Sequence, residues 1–197
     1  PTVHVRFGEA GAMLAGDAMQ ALAFEVLTPD SGIVPPSMQA RLCGLLARAA
    51  GHAGMAGGQA IDLASIGKPL SEQQLRDMHR RKTGALLQAS VLMGAVTGEL
   101  DRRTWDAIAD YGTAIGLAFQ IVDDILDVTQ CSDKLGKTAG KDADANKPTY
   151  VTVLGITEAR RQAERLRDAA LAALERSGLA EVARLAWLAE LVVERES

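Results

Sequence analysis

Between Asp101 and Gln130 the apolar residues Trp105, Ile108, Ala109, Ile115, Leu117, Ala118, Ile121, Val122, Ile125, Leu126 and Val128 recur at helical spacing without a proline. At 1.5 Å per residue such a helix is about 45 Å long, enough to cross a whole domain, so the other elements must pack around one rod. Near its end the rod carries Asp123-Asp124-Ile125-Leu126-Asp127. Asp123 and Asp127, four residues apart, project from one face with Asp124 beside them, and they repel unless a cation sits between. Gln120 adds an amide one turn earlier, and Phe119, Ile121 and Val122 surround the acids with apolar side chains that make uncompensated desolvation costly. Oxygen-only ligands at this spacing suit Mg²⁺, which takes one or two carboxylates and keeps waters and substrate phosphates in its shell. The bland alternative is an exposed acidic stripe on a surface helix.

The remaining pattern is helical too. Ala12, Ala15, Met19, Leu22, Ala23 and Val26 predict a helix over 8–27, closed by Pro29, Asp30, Ser31 and Gly32. A second helix is expected from Pro36 or Ser37 toward Leu63, interrupted by Gly51, Gly54, Gly57 and Gly58, where the chain should bend or another backbone or ligand should come close. Ser71-Glu72-Gln73-Gln74 resembles an N-cap opening a third helix that runs to Val96, with a polar first half and a second half, Ala85 to Val96, buried on all sides. After the long helix, the polar stretch 131–147 reads as a surface loop of functional length, 149–154 as a short helix, and 157–176 and 179–196 as amphipathic helices. With 48% hydrophobic but only 4% aromatic residues among 197, close helix packing through small side chains is favoured, and the expectation is an all-α, single-domain chain. There is no internal repeat or low-complexity linker.

A net charge of −4 lacks the basic excess needed to neutralise a nucleic-acid backbone. Cys43 and Cys131 follow no metal-ligand spacing and read as free thiols in a reducing compartment, hence the cytoplasm. No charge-free apolar stretch reaches the length of a membrane span, and the N-terminus has no signal-peptide pattern.

A second polar cluster, His79-Arg80-Arg81-Lys82-Thr83-Gly84, lies where the third helix turns from polar to apolar. Lys82 beside the Thr83 hydroxyl, with Gly84 leaving room, would suit a phosphate oxygen entering a cavity, whereas His79 to Arg81 read as a solvated face. Lys137 and Lys147, after the acidic helix, could fold back over a bound anion or be plain surface lysines.

Gly58-Gln59-Ala60-Ile61-Asp62-Leu63, Lys82-Thr83-Gly84, the run Gly116 to Asp127, Leu135-Gly136-Lys137 and Lys147-Pro148-Thr149-Tyr150 together resemble the trans-prenyl diphosphate synthases, most closely the bacterial farnesyl diphosphate synthases, along nearly the entire chain. The resemblance implies an antiparallel helical bundle around a deep cavity, usually a homodimer. It implies Mg²⁺-assisted condensation of an allylic diphosphate, dimethylallyl or geranyl, with isopentenyl diphosphate. It also implies that Asp123, Asp124 and Asp127 are the second of two aspartate-rich metal motifs, that Lys82, Thr83, Gln120, Lys137 and Lys147 bind the allylic diphosphate, with Lys82, Thr83 and Gln120 at the reacting carbons, and that Gln59, Asp62 and Phe119 are candidate cavity lining. The family's first aspartate-rich motif and its Arg-Arg-Gly-x-Pro-Thr stretch would precede Pro1, so the expectation is that an N-terminal third is missing and that residues 1–197 alone are inactive. Three alternatives stay open: a geranylgeranyl or other chain-length synthase; a terpene cyclase or head-to-head prenyl coupler; and a non-catalytic helical subunit of a heteromeric synthase.

Overall fold

The computed structural model describes residues 1–133 and 148–195, and every element among them is helical. In chain order these are α1 (Val3–Leu27), α2 (Pro36–Ala50), α3 (Met55–Ala64), α4 (Glu72–His79), a π turn (Arg80–Gly84), α5 (Ala85–Val96), α6 (Arg102–Asp133), α7 (Tyr150–Leu154), α8 (Ile156–Ser177) and α9 (Ala183–Glu194). The chain divides into two compact units, Pro1–Gly44 and Leu45–Ser197, whose boundary falls inside α2.

In the first unit α1 begins five residues before the expected Gly8, which has φ +81° and kinks the helix. None of its residues is buried, and Phe7, Met13, Leu14, Met19 and Val26 are all exposed. By length and composition α1 could cross a membrane, a property that the charges of Arg6, Glu9, Asp17 and Glu25 conceal when only charge-free stretches are counted. Gln39 on α2 donates to the Pro29 and Val34 carbonyls and ties the intervening turn.

The second unit is organised by α6. Asp101 caps it, its carboxylate accepting from the Thr104 N–H at 2.7 Å. Along α8, Ala159, Ala163, Ala170 and Ala173 are fully buried, and this small-residue seam lets α8 lie close against α6. One core cluster, at the acidic end, joins Leu75, Met78, Leu117, Ile121, Ile125 and Tyr150; the other joins Leu92, Ile108, Tyr111, Ile115 and Leu174. The Tyr111 hydroxyl donates to the Leu185 carbonyl at 2.8 Å, fastening α9 to the second cluster.

Three expectations change. The second helix is two, α2 and α3, broken at Gly51–Gly54. The third opens with the foreseen capping box at Ser71 and Gln74, but its middle is a π turn, a local insertion that period counting cannot see. Its apolar half is buried only along Ala89, Leu92 and Val96, while Ser90 and Gly94 are exposed, because in this unit helices cover just one side of α5.

Between elements distant in sequence, backbones approach most closely around the π turn. A Cβ on Gly58 of α3 would lie 2.2 Å from the Lys82 nitrogen, and one on Gly116 of α6 would lie 2.7 Å from the Gly84 Cα. Glycine is therefore required on both flanks, at Gly58 and Gly116, whereas a Cβ on Gly84 itself would meet only the His79 carbonyl oxygen at 3.6 Å. Gly116→Ala should cost about 2 kcal/mol in denaturant unfolding, an overpacking penalty without flexible atoms to yield. Gly94→Ala, in a helix interior with nothing within 4 Å, should instead gain about 0.5–1 kcal/mol.

Candidate functional site

The π turn and α6 bring the basic and acidic motifs together. The Thr83 hydroxyl donates to the Gln120 side-chain carbonyl at 2.9 Å, across 37 residues of sequence. Gln120 in turn donates from Nε2 to Asp124 Oδ1 at 2.9 Å, and the Tyr150 N–H donates to Asp124 Oδ2 at 2.8 Å. Asp124 is 3% exposed, so the middle carboxylate of the motif turns inward. Its placement follows from α6 phasing: Ile121, Val122 and Ile125 are buried on the same side of the helix, which leaves Asp123 exposed and Asp127 half-buried.

Lys82 is half-buried and its Nζ lies 2.7 Å from Oδ2 of Asp62, itself buried on α3. The pair aims the ammonium from the π turn. Gln59, one turn before Asp62, is exposed. Lys137 and Lys147 lie outside the described residues, as do the other residues of 134–147.

His79 overturns the reading of residues 79–81 as a solvated face. It is buried, stacks on the Tyr150 ring at 5.5 Å between centroids, and places Nε2 3.9 Å from Asp124 Oδ2 without a hydrogen bond to either ring nitrogen. Arg81 is half-buried; only Arg80 is exposed. Burial, and secondarily the Lys82 charge, lower the His79 pKa to about 4, with Asp62 opposing. Burial also pushes the Tyr150 phenol upward, the Arg76 charge opposing.

One further cation belongs to the site. Arg195, just past α9, donates to the Phe119 carbonyl at 3.0 Å, lies 3.4 Å from Asp123 Oδ1, and sits 4.0 Å over the Phe119 ring. It has no motif to announce it in the sequence, and only tertiary packing sets it against residues more than seventy positions away. Among the described residues no three His, Cys, Asp or Glu side chains form a closed metal cage. Asp123 and Asp127, one turn apart with solvent access, match the one or two carboxylates that Mg²⁺ takes when phosphate oxygens and water complete its shell.

The sequence profile of the polyprenyl synthetases matches residues 1–186. This chain belongs to that family. It is 44% identical over 202 residues to farnesyl diphosphate synthase of Escherichia coli, covering 99% of this chain and 67% of that protein. Geranylgeranyl pyrophosphate synthase 12 of Arabidopsis thaliana is 42% identical over 201 residues, which cover all of this chain and 56% of the plant protein. Among solved structures, geranyltransferase of Helicobacter pylori complexed with magnesium and isoprenyl diphosphate superposes with a TM-score of 0.82 at 32% identity, covering 98% of this chain and 62% of that one. The chain thus spans between about half and two-thirds of these relatives. The all-α fold is that of the family, and the matched region includes α1, which makes that helix part of the family's domain.

The depressed His79 pKa has a defined consequence. Between about pH 6.5 and 4 the unfolded chain binds a proton at His79 that the folded chain refuses, so this residue's contribution to stability is complete above pH 6.5 and declines as pH falls through that window. The loss should approach 3 kcal/mol, on the order of 1.4 per pKa unit. Urea unfolding at stepped pH should show this decline, and His79→Phe, which retains a ring against Tyr150, should flatten it.

Proposed function

We propose that this chain is the larger part of a Mg²⁺-dependent prenyltransferase that condenses an allylic diphosphate with isopentenyl diphosphate, with farnesyl diphosphate as product. The observation that carries the reading is the Thr83–Gln120 hydrogen bond, which joins the Lys-Thr segment to the aspartate-rich helix in one continuous polar set. The names of the relatives, farnesyl and geranylgeranyl synthases and a geranyltransferase, support chain elongation.

In this reading Lys82 takes an oxygen of the allylic diphosphate, exchanging part of its pairing with Asp62 for the more highly charged group. Asp123 and Asp127 would hold Mg²⁺, which supplies neutralisation of the leaving diphosphate. As the allylic C–O bond breaks, the developing cation lies near the oxygens of Thr83 and Gln120. Phe119 and the apolar residues of α6 keep water away. The isopentenyl double bond then supplies the electron pair for the new C–C bond, and the released proton goes to diphosphate. Lys137 and Lys147 join the diphosphate set in the same proposal, the protein works in the cytoplasm, and a homodimer is the proposed assembly.

Two measurements test this. Lys82→Ala in a chain extended to the length of the relatives should reduce kcat/KM for geranyl diphosphate at least 100-fold, about 3 kcal/mol of transition-state stabilisation; an unchanged value removes Lys82 from the site. Residues 1–197 alone should show no Mg²⁺-dependent turnover, and activity equal to that of the extended chain would refute the assignment of half the metal site to a preceding segment.

A further inference from the structure

Three hydrogen bonds link Thr83, Gln120, Asp124 and Tyr150, each with a fixed direction. The Thr83 hydroxyl donates to Gln120 Oε1, Gln120 Nε2 donates to Asp124 Oδ1, and the Tyr150 N–H donates to Asp124 Oδ2. An amide side chain can sit in either of two orientations related by a half-turn, with nearly identical shape and opposite polarity. Asp124 accepts at both of its oxygens, which leaves Gln120 one choice: its NH₂ faces Asp124 and its carbonyl faces Thr83. Asp124 in turn cannot rotate outward without stranding the first N–H of α7, because the Tyr150 amide has no intrahelical acceptor at that position.

From this geometry we infer that Asp124 is a positioning residue, locking the Gln120 carbonyl toward Thr83 and toward the developing cation, and that it is not a metal ligand as Asp123 and Asp127 are. The role rests on the prenyltransferase reading for its catalytic half; the hydrogen-bond directions do not. It accounts for the differing environments of two adjacent aspartates, one exposed and one 3% exposed. It also gives the Thr149 capping turn a task beyond opening α7. With Thr149 accepting from the Thr152 N–H, the turn fixes the amide that anchors Asp124.

An exchange of the two side chains tests the inference. In Asp124→Asn, the remaining side-chain oxygen keeps the Tyr150 N–H, and the new NH₂ confronts the NH₂ of Gln120. Gln120 must then flip and present NH₂ to Thr83. In Gln120→Glu two carboxylates meet. In the double variant, the new amide at position 124 donates to one oxygen of the new carboxylate at position 120, whose other oxygen accepts from Thr83, so the pairing and the total charge are restored. Each single variant should lower Tm by about 5 °C or more, and the double variant should recover at least half of the summed loss. A double variant no more stable than the sum of the singles overturns the orienting role, and this result is read from thermal unfolding of the extended chain without any activity assay.

In the extended enzyme, kcat should fall at least tenfold in Asp124→Asn and recover severalfold in the double variant. The Mg²⁺ concentration for half-maximal rate should stay within twofold in both, against a rise of tenfold or more in Asp123→Asn. A comparable rise in Asp124→Asn would make Asp124 a ligand and overturn the inference. Absence of prenyl transfer in the wild-type extended chain would instead refute the functional reading, leaving the stability cycle to decide the orientation.

Discussion

Backbone-to-backbone contact at the π turn is the constraint on which the site depends. Gly58 brings α3 against the Lys82 amide, and Gly116 brings α6 against Gly84, so the segment Arg80–Gly84 is gripped from two sides by helices without side chains at the contact. Side-chain chemistry is arranged around that grip. Asp62 reaches Lys82 because α3 lies so near, and Gln120, one turn beyond Gly116, reaches Thr83 because α6 does. A layer of side chains between these backbones would separate donors from acceptors that now meet within 3 Å.

The acidic end of α6 shows how one short motif is divided by helix geometry into unlike roles. Adjacent residues on a helix point about 100° apart, so two consecutive aspartates cannot share an environment. Asp124 enters the core near Tyr150 and His79, where every unmet hydrogen bond is costly, and Asp123 remains accessible beside Arg195. The apolar residues between the acids pack the helix and thereby determine which carboxylate is inside.

Much of this was legible beforehand, for local reasons. Ser71 and Asp101 announce helix starts because capping is a matter of nearest residues, and the glycines from Gly51 to Gly58 correctly forecast both a break and a close approach. The long apolar period gave α6 almost to the residue. What escaped depends on distant packing. His79 looks like part of a basic surface run until Tyr150 covers it, and the inward turn of Asp124 depends on α7, which follows it by more than twenty residues. Arg195 has no neighbouring pattern at all. The apolar stretch of α5 promised burial on every side, but burial needs partners, and composition does not count them.

The π turn carries one more consequence. An α-helix tolerates substitution at most positions, but a π turn is a count: it holds one residue more than regular hydrogen bonding would. Deleting any single residue from Arg80 to Gly84 would let the backbone relax into an unbroken α-helix, locally better bonded, with α5 keeping nearly its phase, because the π turn spends one extra residue on about the same rotation. The buried stripe of α5 would keep its place, while Lys82 and Thr83, inside the turn, would be re-aimed away from Asp62 and Gln120. Chain length in this segment therefore matters as much as residue identity, and an alignment gap here would signal a loss that no conservative substitution could reveal.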